Sequence, residues 1–238
     1  MIIAKVRKQR KFRNTLFNMS IAQNLFKIKS SLPENVTLVA VSKTKPISDL
    51  MEAYDTGQRI FGENKIQEMA EKWEAMTKDI QWHMIGHVQT NKVKFMAPFV
   101  SLIHGVDSLK LLEEINKQAQ KNNRIINCLL QIHIAEEETK FGLNEKELNE
   151  ILASTTFQEM KNIKIVGLMG MATFTDNKEQ IKKEFTHLKT IFDSYQNLKT
   201  ENCQLNTISM GMSGDYQLAI ECGSTMVRIG SSIFGGRI

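Results

Sequence analysis

The sequence predicts an α/β protein folded as a single closed (β/α)8 barrel. Three observations predict it. Short runs rich in Val and Ile alternate with longer amphipathic stretches, the pattern of βα units around a parallel sheet. The runs number eight, the count at which such a sheet closes on itself. The 238 residues suit one barrel, and no linker, low-complexity tract or internal repeat divides them. A doubly wound open sheet is the alternative. It would ordinarily have fewer strands, or a glycine-rich dinucleotide turn after the first, where this chain has SKTKP.

From Met19, MSIAQNLFKIKSSLP places Ile21, Leu25, Phe26 and Ile28 near helical spacing and reads as an opening helix. The strand candidates follow: VTLVAVS (36–42), RIFGEN (59–64), QWHMIG (81–86), SLIHGVD (101–107), INCLLQIHI (126–134), IKIVGLMGM (163–171), TISMGMS (207–213) and MVRIGSSIFG (226–235). Between them lie helix-like segments such as ISDLMEAYDTG, LKLLEEINKQAQ, NEKELNEILAST and NKEQIKKEFTHLKTIFDSYQNL, most opened by Ser, Asp or Asn as N-caps. Active sites of such barrels collect at the C-terminal ends of the strands. The unusual residues fall there: Lys43 ends the first strand, Asn64 the second, His83 and Gly86 the third, Gly105 and Asp107 the fourth. Met169 and Met171 end the sixth, Ser213 ends the seventh, and Arg228 and Gly230 lie in the eighth near its turn.

Composition excludes several classes. No apolar run approaches the roughly 20 residues that span a bilayer. The cysteines, Cys128, Cys203 and Cys222, are three in number and widely spaced, so they support neither a disulfide framework nor a zinc site and suit a reducing cytosol. His83 and His87 sit four apart in WHMIGH, but a glycine lies between them and the acid of an HExxH motif is missing, so no metal site is expected. The net charge of +5 invites a nucleic-acid reading. Six cations, Lys5, Arg7, Lys8, Arg10, Lys11 and Arg13, stand in residues 1–18 without an acid; they outnumber the net charge by one, leaving the remainder at −1. A body without a basic face has little means of neutralising duplex phosphates, so no nucleic-acid partner is expected. Residues 1–18 read as a basic extension or start-site overrun, and 19–238 as the barrel.

The chemistry of the strand ends begins with VAVSKTKP (39–46). Desolvation favours a neutral, nucleophilic amine at Lys43, and Lys45 would push the same way as a nearby cation, which makes a Schiff-base site for an aldehyde or ketone. By themselves the two lysines read as well as solvated residues ahead of a helix starting at Pro46. SMGMSGDYQLAIECG (209–223) reads as strand, glycine turn and helix, which brings Ser213, Gly214 and backbone N–H groups to the mouth as an anion seat. VRIGSSIFGG (227–236) adds glycines where backbone could approach a ligand, with Ser231 and Ser232 as donors. Phosphate sites in barrels are often built by the loops after strands seven and eight, although as packing alone these glycines are ordinary turns. A carbonyl-seeking lysine facing a phosphate seat suggests pyridoxal 5'-phosphate.

The segments VAVSKTKP, FGENKIQE, WHMIGHVQTNK, KFGL, GLMGMAT, SMGMSGDY and VRIGSSIFGGR, in this order, resemble the YggS/PROSC family of pyridoxal phosphate homeostasis proteins from about Met19 to the C-terminus. The resemblance implies the alanine racemase barrel, fold type III of the pyridoxal phosphate proteins, without the C-terminal β-domain of the racemase. It implies a cytoplasmic protein that holds the cofactor as a Schiff base on Lys43, with Lys45 as its neighbour. Arg228 would face the pyridine nitrogen, and Gly230 and Ser231 would offer N–H groups to the phosphate. Ser213 would donate its hydroxyl to the phosphate, and Asn64 would touch the cofactor from the second strand.

The same resemblance implies a carrier that hands cofactor on, with pyridoxal-phosphate-dependent apoenzymes as acceptors, rather than an enzyme. An arginine at the pyridine nitrogen disfavours protonating the ring and weakens the electron sink, which suits modest chemistry or none. The alternative is an amino-acid racemase or related enzyme with one-base activity from Lys43. Racemases of this fold use a tyrosine as second base, and Tyr54, Tyr195 and Tyr216 offer no evident partner for Lys43. His104 and His133, in apolar strands, are read as core histidines without a role. A bare barrel needs no partner to complete its site, so a monomer is expected.

Overall fold

The computed structural model describes residues 19–137 and 140–236. The basic leader, and the readings attached to it, lie outside the described residues. Helix α1 (Ile21–Ser31) opens on a capping box, in which the Ser20 hydroxyl accepts from the Gln23 N–H and the Gln23 side chain bonds the Ser20 backbone. The barrel follows. Strands β1 (Thr37–Val41), β2 (Ile60–Glu63), β3 (Gln81–Met84), β4 (Leu102–Val106), β5 (Ile126–Gln131) and β6 (Ile163–Met169) pair in parallel, each with the next. A two-residue strand β7 (Lys199–Thr200) is antiparallel to β8 (Cys203–Ser209) and stands outside the ring. Strand β8 pairs in parallel with β6 and with β9 (Met226–Ile229), and β9 returns to β1 with Arg228 opposite Val39. Eight parallel strands therefore close on themselves, as the alternation predicts.

The connecting helices are α2 (Ile47–Asp55), α3 (Ile66–Ala75), α4 (Val93–Met96) after a 3-10 turn, α5 (Leu109–Lys121), α6 (Glu145–Ala153), α7 (Thr155–Gln158), α8 (Lys178–Tyr195), α9 (Tyr216–Glu221) and α10 (Ser231–Phe234). The expected polar caps close several of them: the side chains of Ser108, Asn144, Ser154 and Asn177 each accept an N–H of the first turn.

Alternation along each strand sorts the core into two shells. On β1, Leu38 and Ala40 pack outward with Phe61, Trp82, Phe185 and the helices, while Val39 packs inward with Leu102, Leu129, Met169 and Met226. Phe185 is wholly buried in the outer shell, and truncating such a side chain to Ala costs about 3–5 kcal/mol. The inner plug fills the lower barrel and leaves the upper end to polar residues.

The strands stop short of the expected runs, the fifth at Gln131 and the sixth at Met169, and the last two differ most. The seventh run reads 207–213 as strand, but β8 begins four residues earlier, at Cys203, and stops at Ser209, because Gly211 turns the chain with a φ of 95°. The eighth run reads as strand to 235, but the strand ends at Ile229 and Ser231–Phe234 is a helix entered through Gly230. Its apolar periodicity there belongs to Ile233 and Phe234, buried against the outer shell.

Candidate functional site at the barrel mouth

Lys43 follows β1, half-buried, between a buried Ser42 and Thr44, whose φ of 62° is left-handed and uncommon for a non-glycine residue. The Ser42 N–H donates to the Gly62 carbonyl at 3.0 Å, and the Lys45 N–H to the Ser42 carbonyl at 3.1 Å, closing a tight turn around Lys43. Lys45 does not share the mouth in the expected way. Its Nζ donates to the carbonyls of Phe234 and Gly236 at 2.8 and 2.9 Å, so it ties the first turn to the last helix.

Arg228 is nearly wholly buried at 4% exposure, on the inward face of β9. One of its terminal nitrogens donates to the Ser209 carbonyl at 2.8 Å and hydroxyl at 2.6 Å; the other donates to the Gly170 carbonyl at 3.1 Å. Burial lowers its pKa to about 10, with Asp215 pulling the other way, so it stays cationic at neutral pH. These partners are uncharged.

The Ser209 hydroxyl leads further. It lies 3.0 Å from His104 Nδ1, and His104 Nε2 lies 3.1 Å from His83 Nδ1. Ser209 Oγ accepts from Arg228 and can give its own hydrogen to His104 Nδ1; in that tautomer His104 Nε2–H donates to His83 Nδ1. Burial drives the His83 pKa down to about 3, and burial with the charges of His83 and Arg228 drives His104 well below its usual value, so both rings are neutral. His104 is a buried, hydrogen-bonded core histidine, as expected, and its partners join it to the chain that seats Arg228. His83 stood among the strand-end residues, but its link through His104 to Ser209 was not expected; the signal was a polar residue at an inward position of each of QWHMIG, SLIHGVD and TISMGMS. His87, by contrast, is exposed beside Asp107, with Nδ1 3.4 Å from the carboxylate, and faces a different environment from His83.

Ser213, Gly230 and Ser231 come together. Ser213 Oγ accepts from the N–H groups of Gly230 at 3.2 Å and Ser232 at 3.4 Å, and Ser231 opens α10 beside them. A Cβ on Gly230 would lie 3.1 Å from the Val41 carbonyl oxygen and 3.2 Å from Val41 Cβ, so a side chain there would have to push β1 back by a few tenths of an ångström. Asn64, half-buried, follows β2 at the same end, packed so tightly by the next strand that a Cβ on Gly86 would strike its carbonyl oxygen at 2.5 Å. The expected set thus gathers at one end of one barrel: an amine, a buried cation bonded to neutral acceptors, and a hydroxyl and amide cluster. Those donors fit a phosphorylated heteroaromatic aldehyde, since the amine suits the carbonyl, the guanidinium a ring lone pair, and the cluster a phosphate.

Residues 19–238 match the family described as "Alanine racemase, N-terminal domain". The chain is similar to the pyridoxal phosphate homeostasis protein of Aquifex aeolicus, at 40% identity over 201 residues, covering 84% of this chain and 86% of that one. The protein of the same name from Escherichia coli K12 is 36% identical over 231 residues, 91% of this chain and 97% of its own. Among solved structures, PipY of Synechococcus elongatus PCC7942 with pyridoxal phosphate bound superposes with a TM-score of 0.82 at 33% identity, covering 90% of this chain and 100% of PipY. Alanine racemase of E. faecalis shares the fold at a TM-score of 0.72 and 17% identity, covering 92% of this chain and 58% of the racemase.

Proposed function

This chain belongs to the alanine racemase N-terminal domain family and, within it, to the pyridoxal phosphate homeostasis proteins, and from that premise we infer that it binds pyridoxal 5'-phosphate and keeps it available without turning over a substrate of its own. The observation that carries this reading is Arg228: a buried guanidinium hydrogen-bonded to three neutral acceptors on the inward face of β9, the strand that pairs with the one Lys43 follows. The cofactor brings an aldehyde, to which an amine can attach, and a phosphate. Lys43 supplies the amine. Ser213, Gly230 and Ser231 hold the phosphate through hydroxyl and N–H groups, and Asn64 bounds the pocket from β2. Arg228 keeps the ring nitrogen unprotonated, because a second positive charge there would be repelled in a low-dielectric site.

The same arrangement favours carriage over catalysis. An unprotonated ring is a poor electron sink. Of the three tyrosines considered for a second base, Tyr54 on α2 and Tyr195 on α8 spend their hydroxyls on Asp79 and Asn149, and Tyr216 opens α9. No helix among the described residues is long and apolar enough to cross a membrane. A monomeric, cytoplasmic protein that passes cofactor to dependent apoenzymes is the form of this function we propose.

A visible spectrum of purified protein with added cofactor, before and after borohydride reduction, tests the reading. A reducible band is expected that Lys43→Ala abolishes and Lys45→Ala retains; absence of the band in the unaltered protein overturns it. Assays for racemisation, decarboxylation and transamination separate carrier from enzyme: turnover well above that of free cofactor contradicts carriage.

A further inference from the structure

Outside the barrel wall, behind Lys43, lies a buried charge cluster that the mouth does not use. Lys72, on α3, is 7% exposed along its side chain, and Glu63, at the end of β2, is wholly buried. Lys72 Nζ donates to Glu63 Oε1 at 2.8 Å, to Glu68 Oε1 at 2.7 Å and to the Ser42 carbonyl at 2.8 Å. Glu63 Oε1 also accepts from the Ser42 hydroxyl at 2.6 Å, and Glu68 Oε1 from the Thr44 N–H at 2.6 Å. Ser42 and Thr44 are the two residues flanking Lys43. One ammonium therefore organises the hydroxyl and carbonyl before it and the amide after it.

We propose that Lys72 is a positioning residue for Lys43, acting through the wall of the barrel on the Ser42–Thr44 turn. The inference rests on Lys43 being the cofactor-bearing lysine.

Two features separate this cluster from a merely stabilising ion pair. First, Glu63 Oε2 is buried without a partner among the described residues. A half-satisfied buried carboxylate is a poor source of stability, since desolvation offsets the attraction, and such clusters are better at fixing one geometry than at holding a fold together. Second, the cluster holds Thr44 in the left-handed region, an arrangement costing about 1–2 kcal/mol for a residue with a Cβ and kept only where surroundings enforce it. The Glu68 carboxylate on the Thr44 N–H and the Lys72 ammonium on the Ser42 carbonyl are that enforcement. With both released the turn can relax to ordinary φ, which swings the bond vectors at Lys43, while the cluster of Ser213, Gly230 and Ser231 is linked to that turn only through the Lys45 bonds to the Phe234 and Gly236 carbonyls.

The test uses the full chain as Lys72→Met, Lys72→Arg and Glu68→Ala, beside the unaltered protein and Lys43→Ala. Three quantities are measured: the rate at which the borohydride-reducible band forms, the affinity for pyridoxine 5'-phosphate, which carries the phosphate and ring but no aldehyde, and the melting temperature. Misplacement of a reacting group by an ångström costs up to about a hundredfold, so attachment in Lys72→Met and Glu68→Ala should slow by roughly ten- to a hundredfold. Pyridoxine 5'-phosphate affinity should stay within about twofold, well under the tenfold that 1.4 kcal/mol would make, and Lys72→Arg should recover most of the rate. Attachment at the unaltered rate in Lys72→Met, or a parallel loss of attachment and pyridoxine 5'-phosphate binding, overturns the proposal. If Lys72→Met does not fold, Glu68→Ala, which lies at the partly exposed edge of the cluster, decides by the same criteria. A band that survives Lys43→Ala instead removes the reading of Lys43 itself, a failure visible before any Lys72 variant is compared.

Discussion

Two buried cations stand on either side of the β1–β2 wall, and they are kept by opposite means. Arg228, inside, is bonded to two carbonyls and a hydroxyl, with neutral histidines behind it. Lys72, outside, is bonded to two carboxylates and a carbonyl. The first is hydrogen-bonded only to neutral groups, with Asp215 the one acid acting on its charge, and in the proposed function that charge faces the cofactor. The second has its charge consumed locally and can influence the mouth only through the backbone it holds. A buried charge with neutral partners thus points to a ligand, and one with charged partners points to geometry.

Removing either cation should break that contrast most sharply. Arg228→Met should abolish retention of cofactor through gel filtration and, by leaving Ser209 and Gly170 acceptors buried and unbonded, cost about 3 kcal/mol in urea denaturation. Lys72→Met should cost a comparable amount, about 3 kcal/mol at neutral pH, because Glu63 is left buried without its counter-ion; Glu63→Gln in the same chain should recover a good part of it. Retained binding in the first case, or no recovery in the second, would erase the distinction.

The two sides should also answer pH in opposite senses. His83 titrates in the folded state near 3 against an ordinary 6.5, so the unfolded chain takes up protons first. Its contribution is complete above pH 6.5 and is lost as pH falls towards 3, with His104 adding in the same direction. Glu63 is raised above its ordinary 4.5, chiefly by burial, so the folded chain holds the proton longer. Its contribution is present in acid and is lost as pH rises from 4.5 towards the folded value. His104→Gln should flatten the acid slope of a stability-against-pH curve, and Glu63→Gln should flatten the slope on the alkaline side of 4.5. Identical slopes in both variants would mean that neither group titrates across the wall as its surroundings require.

A smaller effect belongs to Lys45. Its bonds reach carbonyls at a partly exposed turn, so Lys45→Met should lower stability by about 1 kcal/mol and loosen α10, read as faster amide exchange at Ile233 and Phe234. Deleting residues 1–18 should change neither stability nor cofactor retention, since the family match begins at residue 19.

The barrel was legible because strands buried on both faces read as uninterrupted apolar runs, and eight of them admit few other closures. That Lys43, Asn64 and Arg228 lie at or near strand ends was legible for the converse reason: a charge or amide there is costly to bury without partners. What escaped was relational. Nothing in VSKTKP distinguishes a lysine that enters the mouth from one two residues later that crosses to the Phe234 carbonyl. The histidine chain needs β3, β4 and β8 brought side by side, and each histidine alone is an ordinary core residue. Lys72 sits on a helix whose spacing reads as amphipathic, and only the buried Glu63 facing it shows why a lysine occupies the inner face.

The seam where β9 meets β1 sets a schedule for the making of the protein. Lys43 and its turn leave the ribosome early, while Arg228, Gly230, Ser231 and the Phe234 carbonyl that receives Lys45 leave nearly 190 residues later. Loop closure across that span comes last, since non-local pairings must wait for both partners. A growing chain can therefore carry a finished helix and most of its strands and still offer no seat for a reactive aldehyde. The proposed seat is complete only when the ring shuts, and a chain cut short before Arg228 would carry Lys43 without the groups proposed to stand beside it.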